Sequence, residues 1–237
     1  MPTRIPYSSL PIPPEWGDQD PTTPVHGYFP DAPSEWMARH DRFNEEAEAR
    51  RDEIKVVFLG DSITEGWAGA GQEIWNKRYA MLGSANFGIG GDRTQQILWR
   101  IAHGNLDHLT PKLVVLKIGV NNLWMGDAPA VRVPEGRALC VAAIQEKCPN
   151  AKILLLGVLP AGQFPNDPLR ARIRTINAPS VTLDDSKTIR YLDIGANFLQ
   201  PDGSISAEIM PDFCHLSPAG YKIWADSMQP LFDEMIN

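Results

Sequence analysis

The sequence predicts an α/β fold in which a parallel sheet is covered by helices on both faces. Strand-like and helix-like runs alternate from about residue 54 to the end of the chain, the order that crossover helices between parallel strands require. The strand-like runs are short and apolar throughout, as in Leu113-Val-Val-Leu116 and Ile153-Leu-Leu-Leu-Gly-Val-Leu159, so both of their faces must be buried. With 237 residues, the chain is long enough for one sizeable core. One main domain is expected over residues 54–237, preceded by an arm and helix over residues 1–53.

Taken in order, the first thirty residues hold Pro2, Pro6, Pro11, Pro13, Pro14, Pro21, Pro24 and Pro30. Each removes a backbone donor and biases its predecessor away from helix, so residues 1–33 read as an extended arm. Tyr7, Trp16, Tyr28 and Phe29 give that arm rings to dock on its own body or on a neighbouring copy, which leaves a homo-oligomer open. Ser34, Glu35 and the charged run through Glu53 read as a capped helix with Trp36, Phe43 and Ala47 facing inward. Strands are expected from Ile54 to Leu59, Ala85 to Phe87, Leu113 to Ile118, Ile153 to Val158 and Ile189 to Ile194.

Asp92 with Gln95 three residues on reads as an N-cap pair for a helix striped by Ile97, Leu98 and Ile101. A second helix runs about 135–147 and buries Cys140; Cys148, eight residues on, is about 12 Å away along the axis and cannot bridge it. The last helix opens with Ser217 as N-cap and Pro218 at its first position. It buries Tyr221, Trp224, Met228 and Phe232, and Pro230 is expected to kink or split it.

A formal net charge of -7 and a pI near 5.2 provide no basic footprint for nucleic acid or an anionic membrane surface. A small neutral or hydrophilic substrate fits better. No apolar run is long enough to span a bilayer, and the first thirty residues lack a signal-peptide core. The expectation is a cytoplasmic protein unless a signal was removed before Met1.

The chemistry-bearing residues sit where strands end. Gly60-Asp61-Ser62-Ile63 follows the first strand, the place where open α/β sheets bind ligands. Alone, the turn also reads as a helix cap. A serine becomes a nucleophile only when an imidazole takes its proton and a carboxylate holds that imidazole. Asp212-Phe213-Cys214-His215 supplies both at a spacing that brings the carboxylate to Nδ1 and leaves Nε2 free; by itself the pair also fits half a metal site. Acyl transfer further needs donors for the oxyanion. The Gly91 N–H in Asn86-Phe-Gly-Ile-Gly-Gly-Asp92 and the Asn121 amide in Gly119-Val120-Asn121-Asn122 are candidates.

The four segments together, in the order Ser, Gly, Asn, Asp with His, resemble the SGNH, or GDSL-like, hydrolase family over residues 54–237. The likeness is closest to the branch of the platelet-activating-factor acetylhydrolase catalytic subunits, through Asn86–Asp92, Ile97-Leu-Trp-Arg100, Pro111-Lys112 and Gly157-Val-Leu-Pro160. It implies a flavodoxin-like, three-layer α/β/α sandwich with a five-stranded parallel sheet. It further implies Ser62 as nucleophile, His215 as base and Asp212 as its orienting acid, with Ser62 N–H, Gly91 N–H and Asn121 as the oxyanion hole. Val120 departs from the Thr that the family often carries there, which alters a pocket wall rather than the chemistry.

The reaction so implied is ester hydrolysis through an acyl-enzyme, with no cofactor and no metal. Ile63, Val120 and Cys214, beside the implied catalytic residues, suggest an acyl pocket suited to acetyl. Trp67, Trp75 and Trp124 read as core or rim hydrophobes, with stacking on sugar rings as the alternative; carbohydrate O-acetyl groups are the expected substrate, with lipid or other small esters as the alternative. Asp61 is read as stabilising its turn, Asn122 as holding the loop behind Asn121. A non-catalytic binding module and a peptidase are the rival readings.

Overall fold

The computed structural model describes residues 20–27, 33–125 and 131–237; the expectations about Tyr7, Trp16, Tyr28 and Phe29 lie outside them. The elements in chain order are α1 (Pro33–Ala49), β1 (Val56–Gly60), α2 (Ser62–Glu65), α3 (Gln72–Arg78), β2 (Ser84–Gly88) and α4 (Thr94–Ala102). They continue with β3 (Leu113–Lys117), α5 (Val133–Lys147), β4 (Lys152–Leu156), α6 (Pro168–Ser180), β5 (Ile189–Leu192) and α7 (Pro218–Ile236). All five expected strands are present, paired in parallel in the order β2-β1-β3-β4-β5. That is the flavodoxin-like order, whose switch point lies between β1 and β3.

The alternation of side chains along each strand divides the core in two. Val56, Phe58, Val115 and Leu154 face a cluster with Tyr221, Trp224 and Phe232 of α7 and Ile173 and Ile176 of α6. Val57, Leu59, Val114 and Leu155 face Ala47 of α1, Ile97 and Ile101 of α4, and Cys140 and Ile144 of α5. Helices therefore cover both faces, and a three-layer α/β/α sandwich results. Trp36 and Ala47 are buried as the helical pattern requires, and Phe43 stacks on Phe87 with ring centroids 4.9 Å apart. Residues 20–27 lie against α4, where the Thr94 hydroxyl donates to the Pro21 carbonyl at 2.7 Å.

Several ends differ from expectation. α1 begins at Pro33, so Ser34 is inside the helix rather than its cap, and the helix stops at Ala49, short of Glu53. α4 is capped by Arg93 with Gln96, one residue beyond the expected Asp92 and Gln95. The reason is that the Asp92 carboxylate is engaged elsewhere: it accepts from Arg100 at 2.6 Å and from the Trp36 indole at 2.7 Å, fully buried. α7 runs through Pro230 unbroken. Burial of Met228 and Phe232 on either side offsets the lost hydrogen bond, which costs about 3 kcal/mol. α3 and α6 were not foreseen, although Asp167 and Pro168 at the start of α6 form a readable cap and first position.

Burial pushes the Asp92 carboxyl up to about 6, against the pull of Arg100 and of the Trp36 N–H. A carboxyl raised above its unfolded value contributes stability at low pH that is lost as pH rises through its folded value. Arg100→Met removes the principal opposing charge, so the loss must deepen and extend upward in pH. Urea denaturation is expected to show a deficit of about 3–5 kcal/mol at pH 8 and a clearly smaller one at pH 5; a pH-independent deficit would contradict this assignment.

Candidate active site

The site is assembled at the carboxyl ends of β1, β2 and β3. Gly60 pairs in register with Gly88 on one side and Lys117 on the other, so the turns after these strands leave the sheet side by side. A Cβ at Gly60 would overlap the Lys117 carbonyl and the Thr64 hydroxyl, and one at Gly88 would overlap the Glu65 backbone nitrogen. Glycine is required at both for the chain to approach this closely.

Ser62 is the first residue of α2, which Asp61 caps by accepting the Ile63 N–H at 3.0 Å. Asp61 is fully buried and both of its oxygens lie 3.2 Å from the Lys117 ammonium, itself buried. The Tyr221 hydroxyl of α7 donates to the Ile63 carbonyl at 2.7 Å. β3 and α7 thus both grip the turn that carries the serine, and Asp61 braces it from within. The turn-stabilising role expected of Asp61 is present, while the sequence marks Tyr221 only as buried on the last helix and does not mark Lys117, because each is remote from the turn along the chain.

The Ser62 Oγ lies 2.9 Å from His215 Nε2, and His215 Nδ1 lies 2.7 Å from Asp212 Oδ2. The other Asp212 oxygen accepts the His215 N–H at 2.7 Å and the Cys214 N–H at 3.1 Å. Burial raises the Asp212 carboxyl, but these hydrogen bonds and the His215 charge outweigh it and hold the group below its ordinary value. The turn depends on Phe213, which adopts a left-handed φ of 59°. Such a conformation is unusual for a bulky side chain, and the Phe213 N–H and carbonyl are both tied down, to Met210 and Gly162. His215 and Asp212 are about half exposed, so the serine and imidazole open to solvent.

Gly91 has a left-handed φ of 79° and lies two residues beyond Ile89, whose N–H bonds the Gly60 carbonyl at 3.1 Å. At the neighbouring Gly90, a Cβ would fall 3.7 Å from that of Ser62, which places this loop against the serine. The Asn121 amide donates to the Asp92 carbonyl at 2.8 Å, joining the loops after β2 and β3. Asn122 is buried and reaches further than its own loop, bonding the Thr94 N–H and the Gln95 side chain at the start of α4. A small cleft beside Gly91 is bounded by Gly27, Trp36, Arg93 and Gln96.

Ile63 and Val120 are buried in the α6/α7-side core, with Cys214 packed on it. Burial pushes the Cys214 thiol up to about 12, which keeps it protonated at neutral pH. Trp67 is fully buried among Tyr79, Tyr221 and Trp224 and cannot meet a sugar; Trp75 is half-buried against Phe58. Trp124, three residues after Asn121, is 37% exposed.

The profile of the GDSL-like Lipase/Acylhydrolase family matches residues 58–223. The platelet-activating factor acetylhydrolase IB subunit alpha1 of Bos taurus is 39% identical over 209 residues, 86% of either chain. Among solved structures, a GDSL-like lipase from Bacteroides thetaiotaomicron superposes with a TM-score of 0.69 at 22% identity, over 84% of this chain and 98% of that one. An acetylxylan esterase from Geobacillus stearothermophilus, solved as a catalytic mutant, superposes with a TM-score of 0.59 at 20% identity, over 78% and 94%. The chain belongs to the GDSL-like lipase/acylhydrolase family and is a carboxylic ester hydrolase.

Proposed function

We propose that residues 54–237 form an acetylesterase domain in which Ser62 is the nucleophile, His215 the general base and Asp212 the acid that orients it. The observation that carries this reading is the continuous hydrogen-bonded chain from Ser62 Oγ through both His215 nitrogens to Asp212. Ser62 Oγ attacks the ester carbonyl while His215 Nε2 takes its proton, and Asp212 stabilises the imidazolium through Nδ1. The tetrahedral oxyanion accepts from Ser62 N–H, Gly91 N–H and the Asn121 amide, whose two hydrogens allow one to stay on Asp92. His215 protonates the departing alcohol, then activates water to release acetate and restore Ser62. None of these steps needs a cofactor.

Ile63, Val120 and Cys214 form the wall nearest the acyl group in this reading, and their medium size favours acetyl. The alcohol is a carbohydrate, supported by the exposed indole of Trp124 beside Asn121 and by the fold shared with an acetylxylan esterase. The acetylhydrolase relatives favour a second reading, an acetyl ester on a glycerophospholipid, which differs only in the leaving alcohol.

Ser62→Ala is expected to reduce acid release from acetyl esters at least about a thousandfold, and Asp212→Asn about ten-thousandfold in kcat, because the wrong imidazole tautomer is held. An alanine variant as active as wild type sinks the nucleophile assignment. With p-nitrophenyl esters, kcat/KM for acetate is expected to exceed that for octanoate by at least tenfold; equal rates refute the short pocket. Trp124→Ala is expected to raise KM several-fold for an acetylated xylo-oligosaccharide and to leave p-nitrophenyl acetate unchanged. If only an acetyl-glycerophospholipid is turned over, the lipid reading replaces the carbohydrate one.

A further inference from the structure

The Gly91 N–H has an unusual weakness as an oxyanion donor. Glycine moves freely through φ, ψ space, so a donor carried on glycine is aimed only as well as its flanking residues are held. Both flanks of Gly91 are held by carboxylates. Glu65 Oε2 accepts the Gly90 N–H at 2.7 Å, and Asp92, whose carbonyl receives the Asn121 amide, is fixed through its buried side chain.

Each of these carboxylates is met by a side chain of α1. The Trp36 indole donates to Asp92 Oδ1 at 2.7 Å, and the Arg39 guanidinium pairs with Glu65 Oε1. Trp36 and Arg39 are three residues apart and share one face of the helix. Glu65 is also the last residue of the helix that Ser62 begins, and its carbonyl accepts from Asn86 at 3.2 Å. The same carboxylate therefore links the nucleophile helix to the loop that flanks Gly91. α1 itself lies before the 58–223 region matched by the family profile.

Resting on the acyl-transfer reading of Ser62, we propose that α1 is a positioning element for the oxyanion hole, acting through Arg39–Glu65–Gly90 on one side of Gly91 and Trp36–Asp92 on the other. Neither Trp36, Arg39 nor Glu65 needs to touch substrate. Their effect is on the direction of the Gly91 N–H, a contact that strengthens as the oxyanion forms, so their loss lowers kcat and spares KM.

The test compares Arg39→Gln, Glu65→Gln, Trp36→Phe, the Arg39→Gln/Glu65→Gln double variant and Arg39→Lys in the full chain with p-nitrophenyl acetate. Active sites are counted by a serine-reactive fluorophosphonate, and folding is checked by circular dichroism. The first three are expected to lose roughly ten- to a hundredfold in kcat with KM within about twofold, the scale of a misplaced catalytic donor. The double variant should be no worse than the poorer single, since both substitutions break one relay, and Arg39→Lys should recover most of kcat. Wild-type kcat per titrated site in Glu65→Gln and Trp36→Phe overturns the proposal, even if their melting temperatures fall. Activity retained by Ser62→Ala overturns the acyl-transfer reading instead, so the two failures are distinct.

Discussion

β1 is hydrogen-bonded on both sides, to β2 and to β3, and that parallel pairing is the constraint on which the rest of the molecule depends. The register sets Gly60 opposite Gly88 and Lys117, so three loops leave the sheet at one level and at adjacent positions. Strands in a parallel sheet lie about 4.8 Å apart, which brings Ser62, the Gly90–Gly91 turn and Asn121 into one small volume without any long side chain. The two glycines make this possible, because a Cβ at either would collide with backbone. Lys117 then uses the same register to reach under the turn and hold Asp61.

His215 and Asp212 come from the other end of the chain, 153 and 150 positions beyond Ser62, and their placement depends on α7. Ser217 caps that helix by accepting the Gly220 N–H at 3.2 Å, while Tyr221, one turn on, ties it to the Ile63 carbonyl. The helix that follows the imidazole's turn is thus fastened to the turn that presents the hydroxyl. Phe213 absorbs the remaining geometric demand in its left-handed backbone, which lets a single carboxylate accept two backbone N–H groups and the imidazole together.

On the other face of the sheet the polar interior is unusually structured. Arg100 is fully buried and reaches Asp92, Asn105 and the Phe87 carbonyl within 2.7 Å. Removing charges from water is costly and is repaid only when hydrogen bonding is complete. This network places Asp92 under fixed restraint, and Trp36 of α1 completes it. A helix that looks like a surface appendage in sequence therefore shares its buried face with the loop beside the serine.

Local signals in the sequence were sufficient for the five strands, the N-cap of α7, the inward stripe of α1 and the four segments around Ser62, Gly91, Asn121 and His215. Each of these depends on near neighbours: apolar runs demand burial on both faces, a hydroxyl or carboxylate caps the turn beside it, and a three-residue spacing joins Asp212 to His215. The tertiary structure alone decided that Asp92 serves Arg100 and Trp36 instead of capping α4, that Trp67 is core while Trp124 is exposed, and that Lys117, Tyr221 and Glu65 hold the site. Those roles arise from partners 8 to 158 residues away, and a buried polar group's choice among partners is settled by which of them the packed sheet and helices bring within hydrogen-bond reach.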